Sequence, residues 1–112
     1  MLPETYLVRR GVVAPSTADV ELVFDPVPDG YALRVDRVRI QDETSTPTAI
    51  ALVVRLGASD YELARLASST GFPSTQPITP FLVPAGGRVV CRVLTPASGD
   101  AIWAVLCGEL LR

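Results

Sequence analysis

The sequence predicts an all-β domain, an antiparallel two-sheet β-sandwich of about eight strands with a jelly-roll-like topology. Three observations support this fold class. Ten prolines and eight glycines interrupt the chain at short intervals. The segments between them are rich in Val, Thr, Ile and Tyr, which fit a pleated, half-buried surface. Turn signals recur at regular spacing, and no segment has the length and periodicity expected of a helix.

The length and composition indicate one globular domain spanning residues 1–112. Apolar residues make up 48% of the chain and charged residues 20%, which excludes a disordered polymer. Residues 1–18 are expected to form either an N-terminal arm or an edge strand.

Eight segments are predicted to be strands, and their order follows the turn signals. Segment 61–67 also fits a helical turn, but seven residues is short for a helix and its neighbours are strands. The first strand is predicted to bulge at Gly11, and residues 68–80 form the longest loop. The predicted strands are 5–13, 19–25, 31–41, 48–56, 61–67, 81–83, 88–95 and 101–111.

The two most regular segments, 31–41 and 48–56, flank a polar turn and are predicted to form a hairpin. The apolar residues of the first segment fall into two pairs that are out of phase by one position. Either a bulge at residues 36–37 brings all four to the core side, or the strand bends there and changes sheets. These pairs are Leu33 with Val35, and Val38 with Ile40.

The composition excludes several classes of active site. The chain has no histidine, and all ten basic residues are arginine. The lack of histidine excludes serine–histidine and cysteine–histidine catalysis and removes the commonest metal ligand. The lack of lysine excludes a catalytic or phosphate-binding lysine. We expect a protein that is not an enzyme, with no catalytic residue, no cofactor and no metal site.

The charge and hydropathy patterns argue against nucleic-acid and membrane partners. The formal net charge is −2, so no overall basic field exists to hold nucleic acid. No apolar run approaches the length of a membrane-spanning helix. The first residues also lack the basic and apolar regions of a signal peptide. We therefore expect the protein to be made and assembled in a cytoplasm.

Cys91 and Cys107 fall on the last two predicted strands. They would be directly opposed if those strands formed a hairpin centred near Gly99. Two alternatives remain open for them: buried, reduced cysteines that pack as small hydrophobic residues, or a cross-strand disulfide.

Carboxylate pairs occur only at predicted turns, where they are expected to be solvated and to cap their own backbone. The pairs are Asp25 with Asp29, Asp42 with Glu43, and Asp60 with Glu62.

Arginines cluster on three predicted strands, and two interpretations stay open. They form either a face that docks on an acidic protein surface or the solvated face of a sandwich. The cluster comprises Arg9, Arg10, Arg34, Arg37, Arg39, Arg88 and Arg92.

The aromatic residues Trp103, Tyr6, Tyr31 and Tyr61 are candidates for a sugar-stacking surface. They are not spaced as a stripe on one strand, so core or rim positions are expected for most of them.

Several turn and strand motifs together resemble small β-sandwich virion proteins of tailed bacteriophages. The motifs are Pro-Asp-Gly-Tyr at 28–31, Leu-Arg-Val at 33–35, Asp-Glu-Thr-Ser-Thr-Pro at 42–47, Pro-Ala-Gly-Gly at 84–87 and Cys-Gly-Glu-Leu at 107–110. Members of that group are capsid decoration or cement proteins, head fibres and other structural parts. No catalytic residue is carried over from them.

The resemblance implies a structural protein of the virion, assembled in the host cytoplasm as a homo-oligomer, with a trimer favoured. Its partner would be the major capsid protein or another virion protein, bound across capsid subunits. We expect the first strand and the 68–80 loop to reach a neighbour. The alternative is a carbohydrate-binding or receptor-binding module of a tail or fibre. The predicted interface residues are Arg9, Arg10, Arg37, Arg39 and Phe72.

Overall fold

The computed structural model describes residues 4–67, 69–72 and 78–112, which form an all-β, two-sheet antiparallel sandwich. The predicted fold class is thus confirmed. The strands of the described residues are β1 (Glu4–Val13), β2 (Val20–Val23), β3 (Ala32–Asp42), β4 (Ala49–Leu56), β5 (Ser59–Ala67), β6 (Gly71–Phe72), β7 (Phe81–Val83), β8 (Arg88–Leu94) and β9 (Ala101–Leu111).

The strand order is that of a jelly roll. Sheet A has the order β1-β9-β3-β6, with β7 also paired to β3, and sheet B has the order β2-β8-β4-β5. Because β6 and β7 follow one another along the same side of β3, eight strand positions are filled. The strand pairs are nested along the chain, as in a long hairpin wrapped across two sheets. From the outermost to the innermost they are β1·β9, β2·β8, β3·β7 and β4·β5.

The predicted hairpin between segments 31–41 and 48–56 is wrong, because β3 and β4 lie in different sheets. β3 is central in sheet A, between β9 and the β6/β7 edge, and β4 is central in sheet B, between β8 and β5. The connection of residues 43–48 crosses from one sheet to the other, a distance of about 10 Å between packed sheets. The polar run between two strands therefore marks a crossing and not a tight turn.

The out-of-phase apolar pairs of β3 are explained by a bulge. The register with β9 shifts between Val35 and Arg37, so Asp36 is the extra residue. All four apolar residues consequently face the core and expose at most 2% of their surface: Leu33, Val35, Val38 and Ile40. The bulge, one of the two predicted alternatives, is confirmed.

The remaining strand predictions are confirmed with two exceptions. The strand at 61–67 is present within β5, which bulges opposite Leu52 and Val53. No bulge occurs at Gly11, because the β1–β9 register runs without a shift from Glu4 to Val13. β6, only two residues long, lies inside the predicted 68–80 loop.

The two cysteines do not oppose each other. Cys91 lies on β8 in sheet B and is fully buried, whereas Cys107 lies on β9 in sheet A and is half-buried. Both are free thiols. Burial raises the pKa of the Cys91 thiol to about 12. The predicted opposition is wrong because the last two strands belong to different sheets.

Asp42 corrects the expectation that the turn carboxylates are solvated, because it exposes only 1% of its surface. Its Oδ1 accepts hydrogen bonds from the N–H groups of Thr44 (3.1 Å) and Ser45 (3.2 Å), so its expected capping role is present. The second buried carboxylate, Asp100, was not singled out from the sequence.

Candidate protein-interaction face

The outer face of sheet A brings three strands together side by side. β9 lies between β1 and β3, so each outward residue of β9 has a neighbour on both sides. Because side chains alternate along a strand, the outward positions form rows across the sheet. From β1 to β3 the rows are Leu7–Cys107–Arg37, Arg9–Val105–Arg39 and Gly11–Trp103–Gln41. We call this surface the arginine–tryptophan face.

The bulge in β3 decides which arginines reach this face. Asp36 adds one residue to the strand, and the alternation after it places Val38 and Ile40 in the core. Arg37 and Arg39 therefore point outward, and both are exposed. The same irregularity that completes the core thus creates the positive side of the face.

Trp103 lies on the middle strand of the arginine–tryptophan face, one row beyond Arg9 and Arg39. The guanidinium carbons of Arg9 and Arg39 lie 5.4 and 5.5 Å from the centroid of its ring. These distances are in the range of cation–π attraction. The indole Nε1–H donates a hydrogen bond of 2.7 Å to Oε1 of Glu43, which fixes the orientation of the ring. Both arginine head groups are therefore held above an ordered aromatic surface.

The arginines of this face lack the carboxylate partners that Arg10, Arg34, Arg55, Arg65 and Arg92 have among the described residues. Among the described residues, none of Arg9, Arg37 and Arg39 forms an ion pair. Arg34, also on β3, differs from them because it pairs with Asp36 (3.0 Å) and Glu109 (2.9 Å). Three positive charges consequently remain available to an acidic partner.

Most arginines on the outer face of sheet B are paired with carboxylates of the same face. Arg55 and Arg92 both bind Glu21 and Asp60, at distances between 2.6 and 3.1 Å. A separate pair joins Arg65 to Glu62 at 2.7 Å. The apolar residues beneath, Ala51, Val53 and Val90, are completely buried. Of the predicted arginine cluster, Arg92 belongs to this network, whereas Arg88, also on β8, donates a hydrogen bond of 3.4 Å to the Phe24 carbonyl oxygen.

The pKa values of the acidic groups in this network follow from these contacts. Hydrogen bonding from Arg55, with a further contribution from Arg92, lowers the pKa of Asp60 to about 2. Partial burial acts to raise the pKa of Glu21, but hydrogen bonds from Arg92 and Arg55 outweigh it, so that pKa also lies below its usual value. Both carboxylates are thus stabilised in their charged form.

The structure brings together three of the five predicted interface residues, Arg9, Arg37 and Arg39. Arg10 points to the opposite side of β1, where it pairs with Asp25 at 3.2 Å and lies 5.9 Å from the ring of Phe24. The backbone of Phe72 pairs with Ile40 in β6, at the other edge of sheet A, and its side chain lies outside the described part.

A shallow depression of about 290 Å³ adjoins the arginine–tryptophan face. It lies beside the bulge in β3, and Arg37 forms part of its wall. Its lining residues are Thr5, Tyr6, Leu7, Asp36, Arg37, Cys107, Gly108 and Glu109. The depression offers a recess for a side chain of a bound partner.

The tyrosines do not extend the aromatic surface of Trp103. Tyr6 and Tyr31 are half-buried against the core. Tyr61, 53% exposed, lies on β5 in sheet B. Among the described tyrosine and tryptophan side chains, Trp103 is therefore the one on this face, and the sequence marked it as a candidate for sugar stacking. Its place between Arg9 and Arg39 depends on a strand order that the sequence does not display.

Searches of the described residues for a metal site and for a membrane-spanning helix, and of the chain for related proteins, each gave a negative result. The described part of the chain contains no group of three or more His, Cys, Asp or Glu side chains suited to a metal ion. Across residues 4–67, 69–72 and 78–112 there is also no helix long and apolar enough to cross a membrane. A scan against protein-family models and a search of curated proteins find no match to the chain.

Proposed function

We propose that this protein is a non-enzymatic structural component of a bacteriophage virion, most specifically a capsid decoration protein that docks through its arginine–tryptophan face. The observation that carries the docking role is the contrast between the two sheets. On sheet B, Arg55, Arg65 and Arg92 each bind a carboxylate. Arg9, Arg37 and Arg39 have no ion-pair partner among the described residues. The phage assignment rests on the resemblance of its turn and strand motifs.

The proposed partner is an acidic surface formed where capsid subunits meet, on the major capsid protein or another virion protein. Arginine and tryptophan are enriched among the residues that dominate binding energy at protein interfaces. A partner carboxylate that reaches Arg37 or Arg39 replaces water around a planar, bidentate donor. Docking across a junction adds buried area that resists separation of the subunits. The protein acts in the assembled virion, as a homo-oligomer formed in the host cytoplasm.

A co-sedimentation assay with purified capsids that lack the protein tests this proposal. The double variant Arg37→Gln/Arg39→Gln is compared with Arg55→Gln/Arg65→Gln, which removes the same charge from sheet B. We expect the first to weaken binding by at least about 10-fold, because loss of one arginine that acts as a binding hot spot costs about 2 kcal/mol or more. The second is expected to bind as the wild type does, and added salt to weaken the wild-type complex.

Two results would count against capsid docking through this face. One is a wild-type chain that does not sediment with capsids at low salt. The other is an equal loss of binding in both double variants, which would indicate an effect of net charge or of stability and not of the arginine–tryptophan face.

The second candidate function is a carbohydrate-binding or receptor-binding module of a tail or fibre. It rests on Trp103, which lies on the outer face of sheet A. The guanidinium groups over the ring make this candidate weaker, because they occupy the surface on which a sugar would stack. Glycan-array binding that Trp103→Ala abolishes, in a variant that remains folded, would favour it over capsid docking.

A further inference from the structure

The four edges of the two sheets are protected to different degrees. β2 is four residues long, and β6 and β7 have two and three residues. β5 has nine residues, but a bulge interrupts its pairing with β4. Short strands, bulges and charges are the usual means by which proteins prevent an edge from pairing with another chain. β1 has ten residues and an unbroken register, so it is the long, regular edge of the described sheets.

The backbone of β1 presents regularly spaced hydrogen-bonding groups at this edge. The Ala14 N–H donates to the carbonyl oxygen of Asp100 at 2.8 Å, directly after the strand. Because the antiparallel register with β9 has no shift, the backbone N–H and C=O groups of the even-numbered residues bond to β9. Those of the odd-numbered residues, from Thr5 to Val13, point to the open edge of the sheet. Two of the odd-numbered side chains, Leu7 and Val13, are 65% and 63% exposed.

Charge complementarity selects one register for pairing with a second copy. A two-fold pairing of two β1 edges keeps the outer faces of both sheets on the same side only when odd-numbered residues oppose odd-numbered ones and even-numbered residues oppose even-numbered ones. Centred on Leu7, the pairing places Leu7 against Leu7 and Glu4 against Arg10 of the second copy. Centred on Val8, it leaves Arg10 against Tyr6, and centred on Arg9 it opposes two like charges. The Leu7 register therefore combines an apolar pair at the axis with two ion pairs at its ends.

We propose that β1 pairs antiparallel with β1 of a second copy of this chain about a two-fold axis at Leu7, joining the two copies of sheet A into one continuous sheet. This goes beyond the proposed function, because it requires no capsid. Such a contact uses the same surface on both copies and closes with two chains. It therefore differs from the three-fold assembly that the resemblance implies.

Site-specific crosslinking tests the register on the full chain. Leu7→Cys is made in a Cys107→Ser background, since Cys107 lies next to Leu7 in the register of β1 and β9. Val13→Cys in the same background is the matched control, because it is also exposed on β1. In the proposed pairing its mate lies about 40 Å away, at 3.4 Å per residue. A short bismaleimide is expected to give a covalent dimer with Leu7→Cys only. Equal crosslinking of both variants, or of neither, would overturn the proposal.

A charge exchange provides the second test, by sedimentation of the isolated chain. We expect the wild-type chain to be a dimer. Glu4→Arg should weaken dimerisation at least about 10-fold, and the exchange Glu4→Arg/Arg10→Glu should restore it. Thermal unfolding confirms that each variant is folded, because Arg10 also pairs with Asp25. A wild-type monomer, or a trimer unaffected by Glu4→Arg, would overturn the two-fold pairing. Capsids are absent from both tests, so their results stand independently of the capsid-docking assay.

Discussion

Asp42 and Asp100 bury their carboxyl groups against each other at one end of the sandwich, where each exposes 1% of its surface. Asp42 ends β3 and Asp100 directly precedes β9. Asp100 Oδ2 accepts hydrogen bonds from the Ser45 hydroxyl (2.5 Å) and the Ala97 N–H (3.0 Å). Oδ2 of Asp42 has no hydrogen-bond partner within the described residues. A proton on that oxygen, shared with Asp100, satisfies both carboxyl groups.

The direction of the two pKa shifts identifies the group that holds this proton. Burial and the neighbouring Asp100 raise the pKa of Asp42 above its ordinary value of 3.8. The hydrogen bond from Asp42, with further bonds from Ser45 and Ala97, lowers the pKa of Asp100. The pair therefore carries one proton, held by Asp42, over the window between the two values.

Asp42→Asn is expected to remove the pH dependence that this pair confers. Because the folded-state pKa of Asp42 is raised, its stabilisation is complete below the unfolded value and is lost as pH rises through the folded value. An asparagine amide donates to Asp100 at every pH. The variant should be at least as stable as wild type at about pH 8, and its thermal midpoint should not decline between about pH 4 and 8.

The control for this prediction is Asp29→Asn, which removes a carboxylate from an exposed turn. It is expected to leave the pH profile of the thermal midpoint unchanged. A wild-type midpoint that stays flat over this pH range would contradict the shared proton. So would a decline of equal slope in Asp42→Asn.

The ion network of sheet B predicts a separate loss of stability in acid. The lowered pKa values of Glu21 and Asp60 mean that their stabilisation is present above the ordinary carboxyl pKa and is lost as pH falls towards about 2. Glu21→Gln should lower the thermal midpoint at neutral pH by about 4 °C, since an exposed network of this kind contributes roughly 1 kcal/mol.

The difference between Glu21→Gln and wild type is expected to shrink near pH 2 and in about 1 M salt, where carboxylates are protonated or screened. Glu62→Gln is the comparison, because Glu62 binds the single residue Arg65. It should have a smaller effect at neutral pH. A midpoint difference in Glu21→Gln that persists unchanged in acid would indicate lost packing and not lost charge pairing.

The strands could be predicted from the sequence because their signals are local. Alternation and turn residues mark each segment, and the phase slip in β3 even indicates the bulge at Asp36. The hairpin between segments 31–41 and 48–56 was wrong because strand pairing in a jelly roll joins distant segments. A polar connection looks the same in the sequence whether it turns back or crosses to the other sheet. β6, with two residues, is too short to carry a pattern.

The candidate site depends on which strands become neighbours in sheet A, and that is set by pairing between distant segments of the chain. Each strand shows which residues share its outer side, but only the position of β9 between β1 and β3 brings Arg9, Trp103 and Arg39 together. Arg9 and Arg10 were both predicted to lie in the interface, although adjacent residues of a strand point to opposite faces of the sheet. Asp42 and Asp100 likewise meet only after the sheets are assembled. Sequence reasoning therefore found Arg9, Arg37 and Arg39 but not the contact of Arg9 and Arg39 with Trp103.

Gly108→Ala is expected to destabilise the sandwich at the bulge. A Cβ atom added at Gly108 would overlap the carbonyl oxygen of Arg34 in the neighbouring strand. The obstacle is backbone, so no side-chain movement can relieve it. We expect a loss of more than about 3 kcal/mol in the free energy of unfolding, at the upper end for overpacking. Denaturant titration measures it.

Gly11→Ala is the matched control on the adjacent strand of sheet A. Its added Cβ would lie 3.5 Å from the Ile102 carbonyl oxygen and 3.8 Å from the Trp103 Cβ, which are ordinary contacts. Its stability should stay within about 1 kcal/mol of wild type, because alanine is favoured over glycine in a strand. Equal unfolding midpoints for both variants would show that β3 and β9 can separate at the bulge without cost.

The two thiols are expected to react at very different rates in the folded protein. Cys107 is half-buried on the outer face of sheet A, whereas Cys91 is fully buried and its pKa is raised to about 12. Since the thiolate is the reactive form, a disulfide reagent should modify one thiol per chain under native conditions and two in denaturant. Cys107→Ser should abolish the native reaction, and Cys91→Ala should leave its rate unchanged. Modification of two thiols at one rate in the native state would contradict the placement of Cys91 in the core.

The fluorescence of Trp103 provides a second readout of the same reaction. Because Trp103 is the chain's one tryptophan and lies on the same outer face as Cys107, labelling Cys107 should also change the fluorescence of Trp103.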